Sequence, residues 1–173
     1  MRRGHDVIGV DGSPEMLDLA RARVPDARLF EGDLRELPVG DDEVDVVVCA
    51  LALAHLDDLR PPVAELARVV LPGGHVVVSD PHPGLAVTGG QALFQAADGS
   101  LAFVRQHSHL HSEFLDAFAC AGLDVVRCAE PRLGPEEAAG QGMAARFIPE
   151  AAEAAFVGLP GALIWQLARP QRS

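Results

Sequence analysis

Lysine is absent from this sequence. All 14 basic residues are arginine, set against 25 acidic residues, for a formal net charge of −11. So acidic a fold repels phosphate backbones, which excludes a general nucleic-acid binder. The missing lysine, together with abundant Ala, Gly and Pro, reflects GC-rich coding and carries no functional information. Cysteine is scarce: Cys49, Cys120 and Cys128 are odd in number and lack Cys-x-x-Cys spacing. Neither a disulfide framework nor a zinc site is expected, and a reducing cytoplasm is the default compartment. No apolar run approaches the roughly 18 residues that span a bilayer. Met1 to Asp6 leads directly into a strand-like run with no signal-peptide pattern. There are no repeats and no low-complexity tract.

What is present is ordinary globular composition. With 173 residues, 49% apolar and 23% charged, the chain reads as one domain, 1–173, able to bury its own core. Val7-Ile8-Gly9-Val10, ending at Asp11, reads as a buried parallel strand. Ser13 caps the helix that follows, with Pro14 in its first turn and Pro25 as its stop. Ala27 to Phe30 is a second short strand, followed by Glu31-Gly32-Asp33. Val46-Val47-Val48 is a third. Residues 60–71 have helical spacing and are broken by Pro72-Gly73-Gly74. Val76-Val77-Val78 then runs to Ser79-Asp80. Alternating strands and helices predict a parallel α/β sheet. Residues 81–106 are rich in Gly, Pro, Gln and Ala and are expected to form a substrate-side insertion or lid, the alternative being a merely mobile loop. A helix over 111–121, a strand over 123–128, helical segments within 134–158 and a final antiparallel strand over 161–168 complete the reading.

Four stretches in register resemble the class I S-adenosylmethionine-dependent methyltransferases, in particular their small-molecule branch of the type 11 kind. Residues 7–17, from Val7-Ile8-Gly9-Val10-Asp11 to Leu17, resemble that family's second strand and following helix. Glu31-Gly32-Asp33-Leu34-Arg35-Glu36-Leu37-Pro38 resembles its adenine-contacting turn. Glu43 to Val48 resembles its fourth strand, and Glu65 to Gly74 the helix and turn before its fifth. The resemblance implies a Rossmann-like methyltransferase fold, a mostly parallel sheet with an antiparallel C-terminal strand. It also implies S-adenosylmethionine as cofactor and methyl transfer to a small-molecule acceptor.

The resemblance assigns roles residue by residue. Asp11 would accept hydrogen bonds from the ribose hydroxyls at the carboxyl end of its strand, where open α/β sheets bind ligands. The alternative is a helix-entry carboxylate that satisfies backbone amides before Ser13. Asp33 would take the adenine amino group and the Leu34 backbone the ring edge; the alternative is an ordinary turn aspartate. Gly12, Cys49 and His55 complete the implied cofactor side. His82 and His107 are the candidate general bases for an acceptor that must lose a proton. His107, His109 and His111 would share one face if they lay on a strand, but no acidic or Cys ligand stands near them in sequence, and no metal site is expected.

The family's first strand and its glycine-rich loop have no counterpart, since only ten residues precede Asp11. The chain is therefore expected to be a family domain without its first strand, through a start placed too late or a shortened gene, with impaired cofactor binding. The inner strands would then expose unpaired edges and favour self-association. A degenerate, non-catalytic binding or assembly module is the alternative function. A nicotinamide oxidoreductase is disfavoured because no Gly-x-Gly-x-x-Gly is present.

Overall fold

The structure, a computed structural model, describes residues 4–86, 92–96 and 98–171. It opens with β1 (Ile8–Asp11), α1 (Pro14–Arg23) and β2 (Arg28–Glu31). The Ser13 hydroxyl accepts the Met16 N–H, and Pro14 supplies the fixed φ of a first helical turn. β1 and β2 pair in parallel from Ile8 opposite Arg28 to Asp11 opposite Glu31. Next come β3 (Val44–Ala50), α2 (Arg60–Val69), β4 (Val70–Pro81) and α3 (Pro83–Ala86). β5 (Ala92–Gln95), β6 (Leu101–Val104), α4 (His111–Cys120) and β7 (Asp124–Ala129) follow. The last elements are α5 (Pro135–Ala139), α6 (Pro149–Phe156) and β8 (Ala162–Ala168).

The main sheet has the order β3-β4-β8-β7. β3 and β4 are parallel, and β8 runs antiparallel to both β4 and β7. The expected α/β architecture with an antiparallel C-terminal strand is therefore present. β1 and β2 nevertheless form a sheet of their own. Among the described residues no strand lies between β1 and β3, and the two do not pair with each other. One face of β3 packs on the core through Cys49, with Val47 half-buried against it. The opposite face leaves Val46 55% and Val48 69% exposed.

The helix expected over 60–71 stops at Val69, because Val70 already pairs with Val44 as the first residue of β4. Leu71-Pro72-Gly73-Gly74 then loops out before pairing resumes at His75 opposite Val46. Glycine is required at both ends of that loop's Gly-Gly pair. Gly73 has a φ of +84°, and a Cβ on Gly74 would stand 2.6 Å from the Asp45 carbonyl. Residues 81–106, expected to be an irregular insertion, contain α3 and the β5–β6 hairpin, in which Ala92 faces Val104 and Gln95 faces Leu101. Gly89, Gly90 and the rest of 87–91, with residue 97, lie outside the described residues.

The core lies between the main sheet and α2 and α4. Leu53, Val63, Val70, Val76, Val78, Phe118, Leu163 and Leu167 are fully buried. Phe114, Phe118 and Trp165 form an aromatic cluster with centroids 5.5 to 6.1 Å apart. This packing fixes the carboxyl ends of β3 and β4.

Candidate active site

A cavity of about 990 Å³ opens at the carboxyl ends of β1, β2 and β3. From β1 and its turn it is lined by Asp11, Gly12 and Ser13; from β2 and its turn by Glu31, Gly32, Asp33 and Leu34. Ala50, Leu51, Ala52, His55 and Leu56 line it after β3. This is where open α/β sheets bind ligands. Of the expected cofactor-side residues, Asp11, Gly12, Asp33, Leu34 and His55 are brought together. Cys49 is not among the lining residues: strand alternation turns its side chain inward, and burial pushes the thiol up to about 12. Its neighbour Ala50 takes the lining position.

Each acidic residue is built by local geometry. Asp11 Oδ1 accepts the Ser13 N–H at 2.9 Å, so the helix-entry role is real. Oδ2 takes no hydrogen bond from any described residue, which leaves an acceptor on the cavity side of β1. Asp33 is more heavily engaged. Its Oδ1 accepts the Arg35 N–H at 2.8 Å and Nε–H at 2.9 Å, and its Oδ2 accepts Nη2–H at 2.6 Å. These bonds hold the Asp33 carboxyl at about 2, well below the ordinary aspartate range. Sequence reasoning missed this two-residue pair, although Asp-Leu-Arg placed it in plain view. Arg35→Ala is expected to return Asp33 to the ordinary aspartate range, read by carboxyl-carbon NMR across a pH titration; an unmoved titration would show that the arginine does not hold it.

The turn after β2 is anchored from α2. Glu65 accepts the Leu37 N–H at 2.8 Å and grips Arg68 through two bonds of 2.6 Å. Arg68 in turn donates to the carbonyls of Val39 and Leu37 and to Asp41. A two-pronged guanidinium–carboxylate contact gives orientation as well as attraction. Gly32 is packed tightly: a Cβ there would meet Pro38 at 2.8 Å and Val10 at 3.0 Å. After β3, Leu51 takes a left-handed φ of 56°, and its N–H bonds the Ser79 carbonyl at 2.7 Å. Non-glycine residues hold that conformation at a cost, and such positions cluster at functional sites. The short turn Leu53–His55 that follows is tied down by Asp80. This carboxylate, 3% exposed at the end of β4, accepts the Ala54 N–H at 3.1 Å, while its Oδ2 has no partner. Burial raises the Asp80 carboxyl from 3.8 to about 6, against the opposing effects of the Ala54 N–H and of His109 and His55.

The two candidate bases lie off the lining. His107 bonds the Ala54 carbonyl through its backbone N–H at 2.6 Å, and its ring stacks on His109. His82 has both ring nitrogens engaged. Nδ1 accepts the Gly84 N–H at 3.0 Å, which places the proton on Nε2, and Nε2–H donates to Glu130 Oε1 at 3.0 Å. His111 Nε2 reaches the same oxygen at 2.9 Å. His82, His111 and Glu130 thus offer three ligand atoms within 4.8 Å of one another. The Gly84 N–H opposes a metal there, because Nε2 would have to give up the proton that Nδ1 cannot accept. The group reads as a hydrogen-bonded tie between β4, β7 and α4. His107, His109 and His111 do not share a face, since residues 105–110 form no strand.

The fold and cavity define a class: an α/β domain with an open cavity at the carboxyl ends of its strands, an acidic residue at the end of β1 and a second beside it after β2. Residues 1–78 match the family model described as "Methyltransferase domain". An uncharacterised methyltransferase of Mycobacterium tuberculosis is 42% identical over 76 residues, 44% of this chain and 31% of that protein. A demethylmenaquinone methyltransferase of Renibacterium salmoninarum is 36% identical over 81 residues, 46% of this chain and 34% of that one. These matches thus span about a third of the curated relatives' own length. Among solved structures, a putative methyltransferase of Haloferax volcanii, seen with the Trm112 methyltransferase activator, superposes with a TM-score of 0.71 at 25% identity. That superposition covers 97% of this chain and 73% of the other. An S-adenosylmethionine-dependent methyltransferase of Mesorhizobium loti gives 0.68 at 22% identity, covering 95% and 80%. Residues 1–78 are thus similar to a methyltransferase domain, and the chain shares the fold of these solved methyltransferase structures over nearly all its length.

Proposed function

We propose that this chain binds S-adenosylmethionine in the cavity between Asp11 and His55 and serves methyl transfer to a small-molecule acceptor. The observation that carries the reading is the free Oδ2 of Asp11 in a cavity that also holds Asp33 and the close-packed Gly32. Asp11 would hold the ribose hydroxyls. Leu34 and Asp33 would meet the adenine, with Arg35 sharing the Asp33 carboxylate. When bound, the cofactor supplies an electrophilic methyl group; the chain positions it and excludes water. The match to a demethylmenaquinone methyltransferase supports a small organic acceptor, and segment 81–106 is the candidate substrate-side cover. No helix among the described residues is long and apolar enough to cross a membrane. Affinity is expected to be modest, because β1 and β3, which end at the cavity, each have one edge without a strand partner among the described residues. Thermal unfolding tests the reading. S-adenosylmethionine and S-adenosylhomocysteine should raise the midpoint with concentration while NAD does not. Stabilisation by NAD alone would point to a different nucleoside chemistry.

The same open edges favour a second reading, in which the chain associates with a second copy of itself. β3 presents Val46 and Val48 to solvent, and only Asp6, Asp11 and Asp45 flank the exposed runs as charged guards. The net charge of −11 opposes association through a repulsion that salt screens, whereas strand pairing is local. Light scattering should therefore show more association at high salt than at low salt. A monomer insensitive to salt would remove this reading.

A further inference from the structure

The cavity described above contains one imidazole whose tautomer the fold dictates. His55 Nδ1 lies 3.2 Å from the Arg105 carbonyl, an acceptor only, so Nδ1 carries the proton and donates it. The opposite nitrogen, Nε2, is then a bare lone pair. It has no partner among the described residues, and the residue lines the cavity that holds Asp11 and Asp33. Of the other histidines, His109 and His82 are not available in this way and His107 and His111 do not line the cavity. His109 is buried with Nε2 donating to the Leu56 carbonyl at 2.8 Å, and His82 uses both nitrogens.

The turn that carries His55 is held from three sides. The Ala54 N–H binds the buried Asp80 carboxylate, the Ala54 carbonyl accepts the His107 N–H at 2.6 Å, and the Leu56 carbonyl accepts from His109. Asp80 is otherwise hard to account for: it is a buried carboxylate with one unpaired oxygen on a strand of valines. Such a group is commonly retained where it orients a working side chain.

We propose that His55 Nε2 is the proton acceptor of this site and Asp80 the positioning residue that holds its turn. The acceptor would be a molecule with a protic O–H or N–H group. In the step, the acceptor's O–H or N–H bond breaks heterolytically, the proton forms the Nε2–H bond, and the electron pair stays on the acceptor atom, which becomes the nucleophile. The resulting imidazolium keeps its Nδ1–H bond to Arg105. This assignment rests on the methyltransferase reading of the same cavity, and it replaces His82 and His107 as the bases expected from sequence.

The test needs no knowledge of the acceptor. Long-range nitrogen–proton NMR on the histidine-labelled chain should show His55 as the Nδ1–H tautomer. Diethyl pyrocarbonate, which acylates an unprotonated and accessible imidazole nitrogen, should modify His55 about tenfold faster than His82 or His109, read by peptide mass spectrometry. Asp80→Ala should mix the His55 tautomers, and Asp80→Asn, which keeps an acceptor for the Ala54 N–H, should restore them. A His55 found as the Nε2–H tautomer, or unreactive beside a modified His82, would overturn the proposal. Failure of the chain to bind S-adenosylmethionine, with His55 still Nδ1–H and reactive, would instead overturn the cofactor reading.

Discussion

Asp80→Asn should change the pH dependence of folding more than any other single substitution of a charged group in this chain. Burial raises the Asp80 carboxyl from 3.8 to about 6. A group whose folded value lies above its unfolded value binds its proton more tightly in the native state. The associated stability is present in full below pH 3.8 and is lost as pH rises through about 6. The size of that loss is about 3 kcal/mol, at 1.36 kcal/mol for each unit of difference. The asparagine cannot titrate and keeps an oxygen for the Ala54 N–H. Its stability relative to the parent should therefore improve by about 2.4 kcal/mol between pH 4 and pH 7.5, while the burial cost of the new amide N–H group is the same at both pH values and cancels. Urea unfolding at the two pH values measures this directly. A difference that does not move with pH would mean that Asp80 is ionised throughout and its unpaired oxygen is solvated.

Asp11→Ala is expected to weaken S-adenosylmethionine binding by about 1.5–3 kcal/mol, the scale of hydrogen bonds to a charged group. Folding should suffer much less, because the carboxylate is exposed and its one internal bond is to the Ser13 N–H. Parallel NMR titrations of parent and variant would give the ratio of affinities even where both are weak. An unchanged affinity with a collapsed melting temperature would make Asp11 a helix-entry cap and nothing more.

Much of this site was readable before the structure. The apolar run ending at Asp11 and the Ser13-Pro14 helix start are local signals, in which strand period, cap chemistry and fixed φ agree. The Glu31-Gly32-Asp33 turn was legible for the same reason. What stayed hidden depends on distance along the chain. His82 and His111 meet Glu130 across 48 and 19 residues, so the acidic partner that sequence could not find beside the histidines comes from the end of β7. Asp80 reads as a plain strand-end residue until β8 pairs beside it and the Leu53–His55 turn and His109 come up against it. His55 shows its tautomer only once Arg105, fifty positions on, places a carbonyl against Nδ1. His107, His109 and His111 alternate, but period two places residues on one face only in a strand, and residues 105–110 form none. The separate β1–β2 sheet likewise follows from pairing partners, which hydrophobic runs alone do not specify.

The most direct measurement is a backbone amide NMR titration of the chain with S-adenosylmethionine. The shifts should move at Asp11, Gly12, Gly32, Asp33, Leu34, Leu51 and His55, and stay fixed around His82, His111 and Glu130. Perturbations confined to the His82–Glu130 group, or none at any cofactor concentration, would contradict the assignment of this cavity as the cofactor site.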